Sequence, residues 1–171
     1  MSAAAHALLA ELNAEVPATR RVLERLPADK FDWRPHPKSL SVAELAQHIA
    51  NIPAGVARFA AMDGFDVPAE PQYKAAENRD TLLATFDASI AALREALGRM
   101  DEASASATWR LRAGDREIFA VPRAGMIRTM GLNHLYHHRG ELVVYLRLLD
   151  VPVPVVYGRS ADENPFARQV A

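Results

Sequence analysis

Two histidines four residues apart, His134 and His138, lie in the stretch Asn133-His134-Leu135-Tyr136-His137-His138-Arg139-Gly140-Glu141, which holds three of the chain's six histidines. On an α-helix this spacing stacks two side chains on one face, with Cβ atoms roughly 5–6 Å apart. Two imidazoles so placed can share one metal ion. The flanking residues support a helix, because Ile127, Met130, His134, His138, Glu141, Tyr145 and Leu148 recur every three or four positions. The pair therefore falls on the stripe that faces the core, where an imidazole without a partner is costly. His137 sits at the edge of that stripe and reads as a neighbour, not a ligand. The same spacing also occurs where histidines are hydrogen-bonded core residues, so a metal role needs a third ligand from another element.

His48 meets that requirement. It lies in a helix with a clear start at Ser41-Val42-Ala43-Glu44, where a serine hydroxyl and a glutamate carboxylate three residues on can each satisfy a free backbone N–H. Turning about 100° per residue from His48 puts Ser41, Glu44, Ile52, Gly55 and Phe59 on its side, a mostly inward stripe. Pro53 frees the carbonyl of Ile49 and predicts a bend one turn after His48. Three neutral imidazoles suit a divalent ion such as zinc or nickel. Three protein ligands leave a position for water or substrate, as in catalytic rather than structural zinc sites. The expectation is that His48, His134 and His138 meet inside a helical bundle.

Four amphipathic segments must position them. The first covers residues 3–25, with Leu8, Leu12, Val16, Thr19, Val22 (or Leu23) and Leu26 on one stripe. Pro17 inside it predicts a kink or two shorter helices. Residues 27–40 form a proline-containing loop, in which Phe31 and Trp33 pin the chain to the bundle; Trp33 lining a ligand pocket is the alternative. The helix of His48 follows, then a connection over 62–77. A third helix over 79–100 buries Leu82 (or Leu83), Phe86, Ile90, Leu93 and Leu97 and has a packing role only. Trp109 and Leu111 alternate with Arg110 and Arg112 before the turn-forming Ala113-Gly114-Asp115, which predicts a small β-hairpin. The last helix covers 122–149, and the proline-containing tail lies extended on the bundle. The fold class is all-α: a single-domain four-helix bundle with long loops and a small hairpin before the last helix.

Bulk composition narrows the function. At 171 residues the chain can bury a core without a metal staple. Twenty basic and 21 acidic residues give a net charge of −1, no footprint for nucleic acid. The chain has no cysteine, hence no disulfide, thiolate nucleophile or cysteine zinc site. The first residues lack a basic signal-peptide start, and no run reaches the ~18 apolar residues of a membrane span. The expected location is cytoplasmic, with no membrane partner. No Gly-x-Ser-x-Gly elbow or glycine-rich phosphate loop occurs.

The chain resembles the DinB/YfiT-like family of four-helix bundles over nearly its whole length. The resemblance is densest in Trp33-Arg34-Pro35-His36-Pro37-Lys38-Ser39, in residues 41–51, from Asn133-His134 through Gly140, and in Val151-Pro152-Val153-Pro154-Val155-Val156-Tyr157-Gly158. It implies an up-down-down-up bundle and a divalent metal held by one histidine on the second helix and two on the last, here His48, His134 and His138. Similar sequences often carry glutamine where this one has Glu141. A carboxylate there could hydrogen-bond a ligand imidazole from behind or act as a base; it could equally be an ordinary polar neighbour. The family is similar to thiol-dependent transferases and isomerases, which implies a low-molecular-weight thiol as cofactor and, by analogy, a homodimer.

Three functions compete. One is a metal-dependent enzyme acting on a small-molecule substrate, either an S-transferase or isomerase using an external thiol, or a hydrolase. Another is a non-catalytic metal- or ligand-binding bundle in a stress response. The last is a packing domain with hydrogen-bonded core histidines. Metal content separates the last from the others.

Overall fold

The computed structural model describes residues 1–70 and 72–167. Helix α1 runs over Ala3–Glu24 and is capped by Ser2, whose hydroxyl accepts from the Ala5 amide at 3.1 Å. Pro17 stays inside one unbroken helix, so the two-helix alternative does not occur. The inward face is as the spacing predicts, with Leu8, Leu12, Thr19, Val22 and Leu23 buried.

The loop that follows completes the start of helix α2, Val42–Ala60. The carbonyls of Trp33 and Phe31 accept from the Val42 and Ala43 amides at 2.9 and 3.0 Å, and the Ser41 hydroxyl accepts from Glu44 at 3.2 Å. The Glu44 carboxylate accepts in turn from the Ser41 amide at 2.7 Å, completing the capping box. The exposed first turn of a helix leaves several N–H groups without partners, and here the loop and the cap supply them. Trp33 packs edge-on against Tyr145 at 5.6 Å, which supports its pinning role. Beyond Pro53 the helix continues, and the Ser89 hydroxyl accepts from the Ala54 amide at 2.7 Å. Ser89 lies on helix α3, Arg79–Arg99, so that helix contributes a polar repair as well as packing.

The all-α expectation is corrected by a three-stranded sheet. Strand β1 (Gly64–Asp66) precedes α3; a short helix α4 (Glu102–Ser106) then leads to β2 (Thr108–Ala113) and β3 (Arg116–Pro122). The expected hairpin is β2–β3, with Trp109 opposite Val121, Leu111 opposite Phe119, and Gly114 at φ +57° in the turn. What the alternation of residues did not predict is β1, which pairs parallel to β2 with Phe65 opposite Leu111. A two-stranded ribbon is marginal alone. This one is anchored by the third strand and by Trp109, which is fully buried and donates its indole N–H to the Phe59 carbonyl at 3.0 Å.

The last helical stretch has three parts: α5 (Arg123–Met126), a π-helical segment (Ile127–Asn133) and α6 (His134–Leu148). Its outer limits match the sequence expectation, but the π segment does not follow from the periodicity. Buried Arg123 ties its start to the sheet region, reaching Asp63 at 2.8 Å and the Ser104 carbonyl at 2.8 Å. Helix α2 packs on α3 and α6, and α1 packs on α3 and α6. The tail is irregular and tied down: the Asp162 and Glu163 carboxylates accept from the Val153 and Val155 amides at 2.8 and 2.9 Å. Among the described residues no helix is long and apolar enough to cross a membrane.

Candidate metal centre

The three histidines singled out from the sequence come together. His48 Nε2 on α2 lies 3.2 Å from His134 Nε2, and His138 Nε2 lies 2.8 Å from the same atom. One ligand nitrogen from each falls within 4.8 Å of the others, a group that could hold a metal ion. All three side chains are half-buried.

The outer nitrogens decide what the inner ones offer. His134 Nδ1 lies 3.3 Å from the Met130 carbonyl, which can only accept, so Nδ1 carries the proton. His138 Nδ1 lies 2.7 Å from a Glu141 carboxylate oxygen, with the same result. Both Nε2 atoms are thereby left as lone pairs, and they face one another at 2.8 Å. Two lone pairs that close repel unless a cation sits between them. Nitrogens bound to one ion at 2.0–2.1 Å lie roughly 2.8–3.4 Å apart for tetrahedral and adjacent octahedral positions, the range of the separations found here. The donor set therefore fits a divalent ion.

Electrostatics point the same way. Burial, then the neighbouring His138 and His134 charges, push the His48 pKa down from 6.5 to about 4. Burial is also the largest cause lowering that of His134. These rings stay neutral at physiological pH, the form a metal requires.

His137 lies outside the trio, with its side chain 63% exposed and its Nε2 3.3 Å from the second Glu141 oxygen. His137, His138 and Glu141 form another group of suitable spacing, within which His138 Nδ1 already pairs with Glu141 at 2.7 Å. Leu148, placed on the inward stripe by periodicity, is 58% exposed.

Two features beside the histidines escape sequence reasoning. Tyr73, from the connection before α3, packs edge-on against His48 at 5.3 Å between ring centroids. Nothing in its surroundings in the chain marks it. The other is the network behind α6. Arg139, 2% exposed, donates to Glu15 at 2.7 Å and Thr19 at 3.0 Å on α1, and to the Tyr157 hydroxyl at 2.5 Å in the tail. Its guanidinium sits 5.2 and 5.0 Å from the ring centres of Tyr136 and Tyr157. The Tyr136 hydroxyl donates to Glu11 at 2.9 Å, and burial with that carboxylate raises the phenol's pKa, keeping it a donor. These contacts set the rotation of α6, whose other side presents His134 and His138 to α2.

The chain shares its fold with several solved structures. It is similar to a DinB-like protein from Bacillus cereus, with TM-score 0.69 and 19% identity, covering 88% of this chain and 95% of that one. A DinB-like protein from Bacillus subtilis matches with TM-score 0.65 and 16% identity, covering 89% and 99%. A mycothiol-dependent maleylpyruvate isomerase matches with TM-score 0.54 and 16% identity, covering 88% of this chain but 64% of the isomerase. No curated protein matches the sequence. The model of the DinB family matches residues 1–166, nearly the whole length, and the chain belongs to the DinB family.

Proposed function

We propose that His48, His134 and His138 bind a divalent metal ion, zinc or nickel, in a metal-dependent enzyme that acts on a small molecule with the help of an external low-molecular-weight thiol. The observation that carries this reading is the approach of three imidazole Nε2 atoms, two of them fixed as lone pairs by their partners. When bound, such an ion supplies a Lewis acid that favours the deprotonated form of a coordinated water or thiol. The chain's own groups prepare the site. Glu141 holds the His138 ring and fixes its tautomer through the Nδ1 hydrogen bond. This contact favours a positioning role for Glu141 over that of a base. Tyr73 shields the His48 ring from water on one side. The thiol must come from outside, since the chain has no cysteine. An S-transfer or isomerisation is supported by the fold shared with a mycothiol-dependent isomerase; hydrolysis is the other reaction open to the same site. The packing of α1 on α3 and α6, and of α2 on the same two helices, supports reading the helical part as a four-helix bundle, for which we propose the up-down-down-up order.

The test is elemental analysis of protein purified without an affinity tag, followed by turnover assays with thiols and electrophiles. The expected result is one divalent ion per chain, lost on substitution of His48, His134 or His138 by alanine and kept in His137→Ala. Metal-free protein, or binding that depends on His137 and not on His138, overturns the metal assignment. Metal-loaded protein that neither binds thiols nor turns over leaves a metal-binding bundle without chemistry.

A further inference from the structure

Two clefts reach the histidines, and they share no lining residue. The first, about 370 Å³, is lined by Lys38, Ser39, Tyr73, His138, Glu141 and Tyr145 among others. The second, about 170 Å³, is bounded by Ile52, Gly55, Phe59 and Met130 and ends on His48 and His134. The trio thus stands between a polar cleft and an apolar one.

Charge distinguishes the first cleft. Both Glu141 oxygens are engaged, one by His138 at 2.7 Å and one by His137 at 3.3 Å. Glu44, beside the same loop, is committed to Arg34 at 3.4 Å and to the Ser41 amide. Lys38, an exposed residue that lines this cleft, forms no ion pair among the described residues. Neutral imidazoles do not cancel the Glu141 charge, so Lys38 and Glu141 offset one another in this cleft. On the metal reading, three neutral imidazoles leave the ion's two positive charges whole, and the net sign is positive. The second cleft is close in size to an apolar cavity of roughly 150 Å³ that accepts benzene, so it takes about one aromatic ring or a short branched alkyl group.

We infer that the site takes an amphiphilic small-molecule carboxylate, its anionic end held by Lys38 and Ser39 in the polar cleft and its apolar end seated between Phe59 and Met130, with the reacting centre at the histidines between them. Lys38 is then the group that selects for charge, and Gly55 the group that leaves room for the apolar end. An added Cβ at Gly55 meets nothing within 4 Å, so a side chain can begin there without a clash. This inference rests on the proposed site, but its two subsites are defined by the chain's own residues.

The experiment measures calorimetric binding of phenylbutyrate, of its uncharged analogue phenylbutanol and of butyrate, to wild type, Lys38→Met and Gly55→Leu. Metal content is determined on the same preparations. Wild type is expected to bind phenylbutyrate more tightly than either partial probe. Lys38→Met should weaken phenylbutyrate about two- to five-fold, the scale of an exposed charge pair, and leave phenylbutanol unchanged. Gly55→Leu should weaken both phenyl probes and spare butyrate. Equal affinity of wild type for phenylbutyrate and phenylbutanol, or phenylbutyrate binding indifferent to Lys38→Met, overturns the inference. Metal-free protein that still prefers the carboxylate through Lys38 supports the two subsites while ending the metal assignment.

Discussion

His138 Nδ1 lies 2.7 Å from a Glu141 carboxylate oxygen one turn further along α6, and this contact determines which His138 nitrogen is free to bind metal. Removing the carboxylate frees the ring to rotate and to change tautomer. Glu141→Ala is expected to lower metal affinity about 10- to 100-fold, as for other partners that orient ligating histidines. Glu141→Gln should lose less, because an amide oxygen still accepts the Nδ1 proton. Competition with a chelator of known affinity measures both.

Stability should depend on pH through His48. Its pKa is held near 4 in the folded protein against an ordinary 6.5. Between these values the unfolded chain binds a proton that the folded chain does not, so stability rises with pH across the window. The stabilisation is fully present above pH 6.5 and is lost as pH falls towards about 4. Thermal melts of chelator-treated protein should therefore show a midpoint that falls with pH in this range. The slope should be shallower in His48→Leu, which has no proton to bind; equal slopes would show that His48 titrates normally.

The buried Arg139–Glu15 pair, with side chains 2% and 14% exposed, should behave unlike the surface pairs. Glu15→Ala leaves a buried guanidinium without its counter-charge, and the expected loss is about 3 kcal/mol or more. The exposed Arg99–Glu95 pair, 73% and 65% exposed, is the control: Arg99→Ala should leave the urea midpoint unmoved.

Gly64 marks the close approach of β1 to β2. A Cβ at this position would lie 2.6 Å from the Arg110 carbonyl oxygen, which as backbone cannot give way. Gly64→Ala should destabilise the protein by about 1–3 kcal/mol, the usual scale of overpacking. It should also speed amide exchange at Val67, which donates to the Arg112 carbonyl at 2.8 Å. Metal stoichiometry should be unaffected, since no histidine of the trio lies on the sheet.

What could be read from sequence followed local rules. The capping box at Ser41 and Glu44 fixes where α2 begins, and 3.6-residue periodicity from there turns His48 inward. The same periodicity stacks His134 over His138, and alternation around Trp109 with a glycine turn marks the hairpin. The rest depends on partners distant in the chain. Three residues, Gly64–Asp66, are too short to announce a strand, and their pairing with β2 spans more than forty positions. The π segment leaves no periodic mark. It accompanies a close approach in which the position of an added Gly131 Cβ lies 3.4 Å from the Val56 side chain. Arg139 reads as a polar residue of a motif until Glu15, Thr19 and Tyr157 surround it. Lys38 and Tyr73 join the site only because two loops return to α6 and α2.

The seven-residue π segment also divides the last helix for anyone who would transplant it. The portion before it answers to the sheet region through Arg123, and the portion after it answers to α1 through Arg139. Each residue of the wider coil advances less around the axis than a regular helical residue, so the two portions are out of phase with an unbroken α-helix. A fragment beginning at Arg123 and rebuilt in a host as ordinary helix would keep the imidazoles stacked but aim them away from whatever the upstream half had docked. A segment moved for its histidines should therefore keep the π segment, within which Met130 holds His134 Nδ1, together with Arg139 and Glu141.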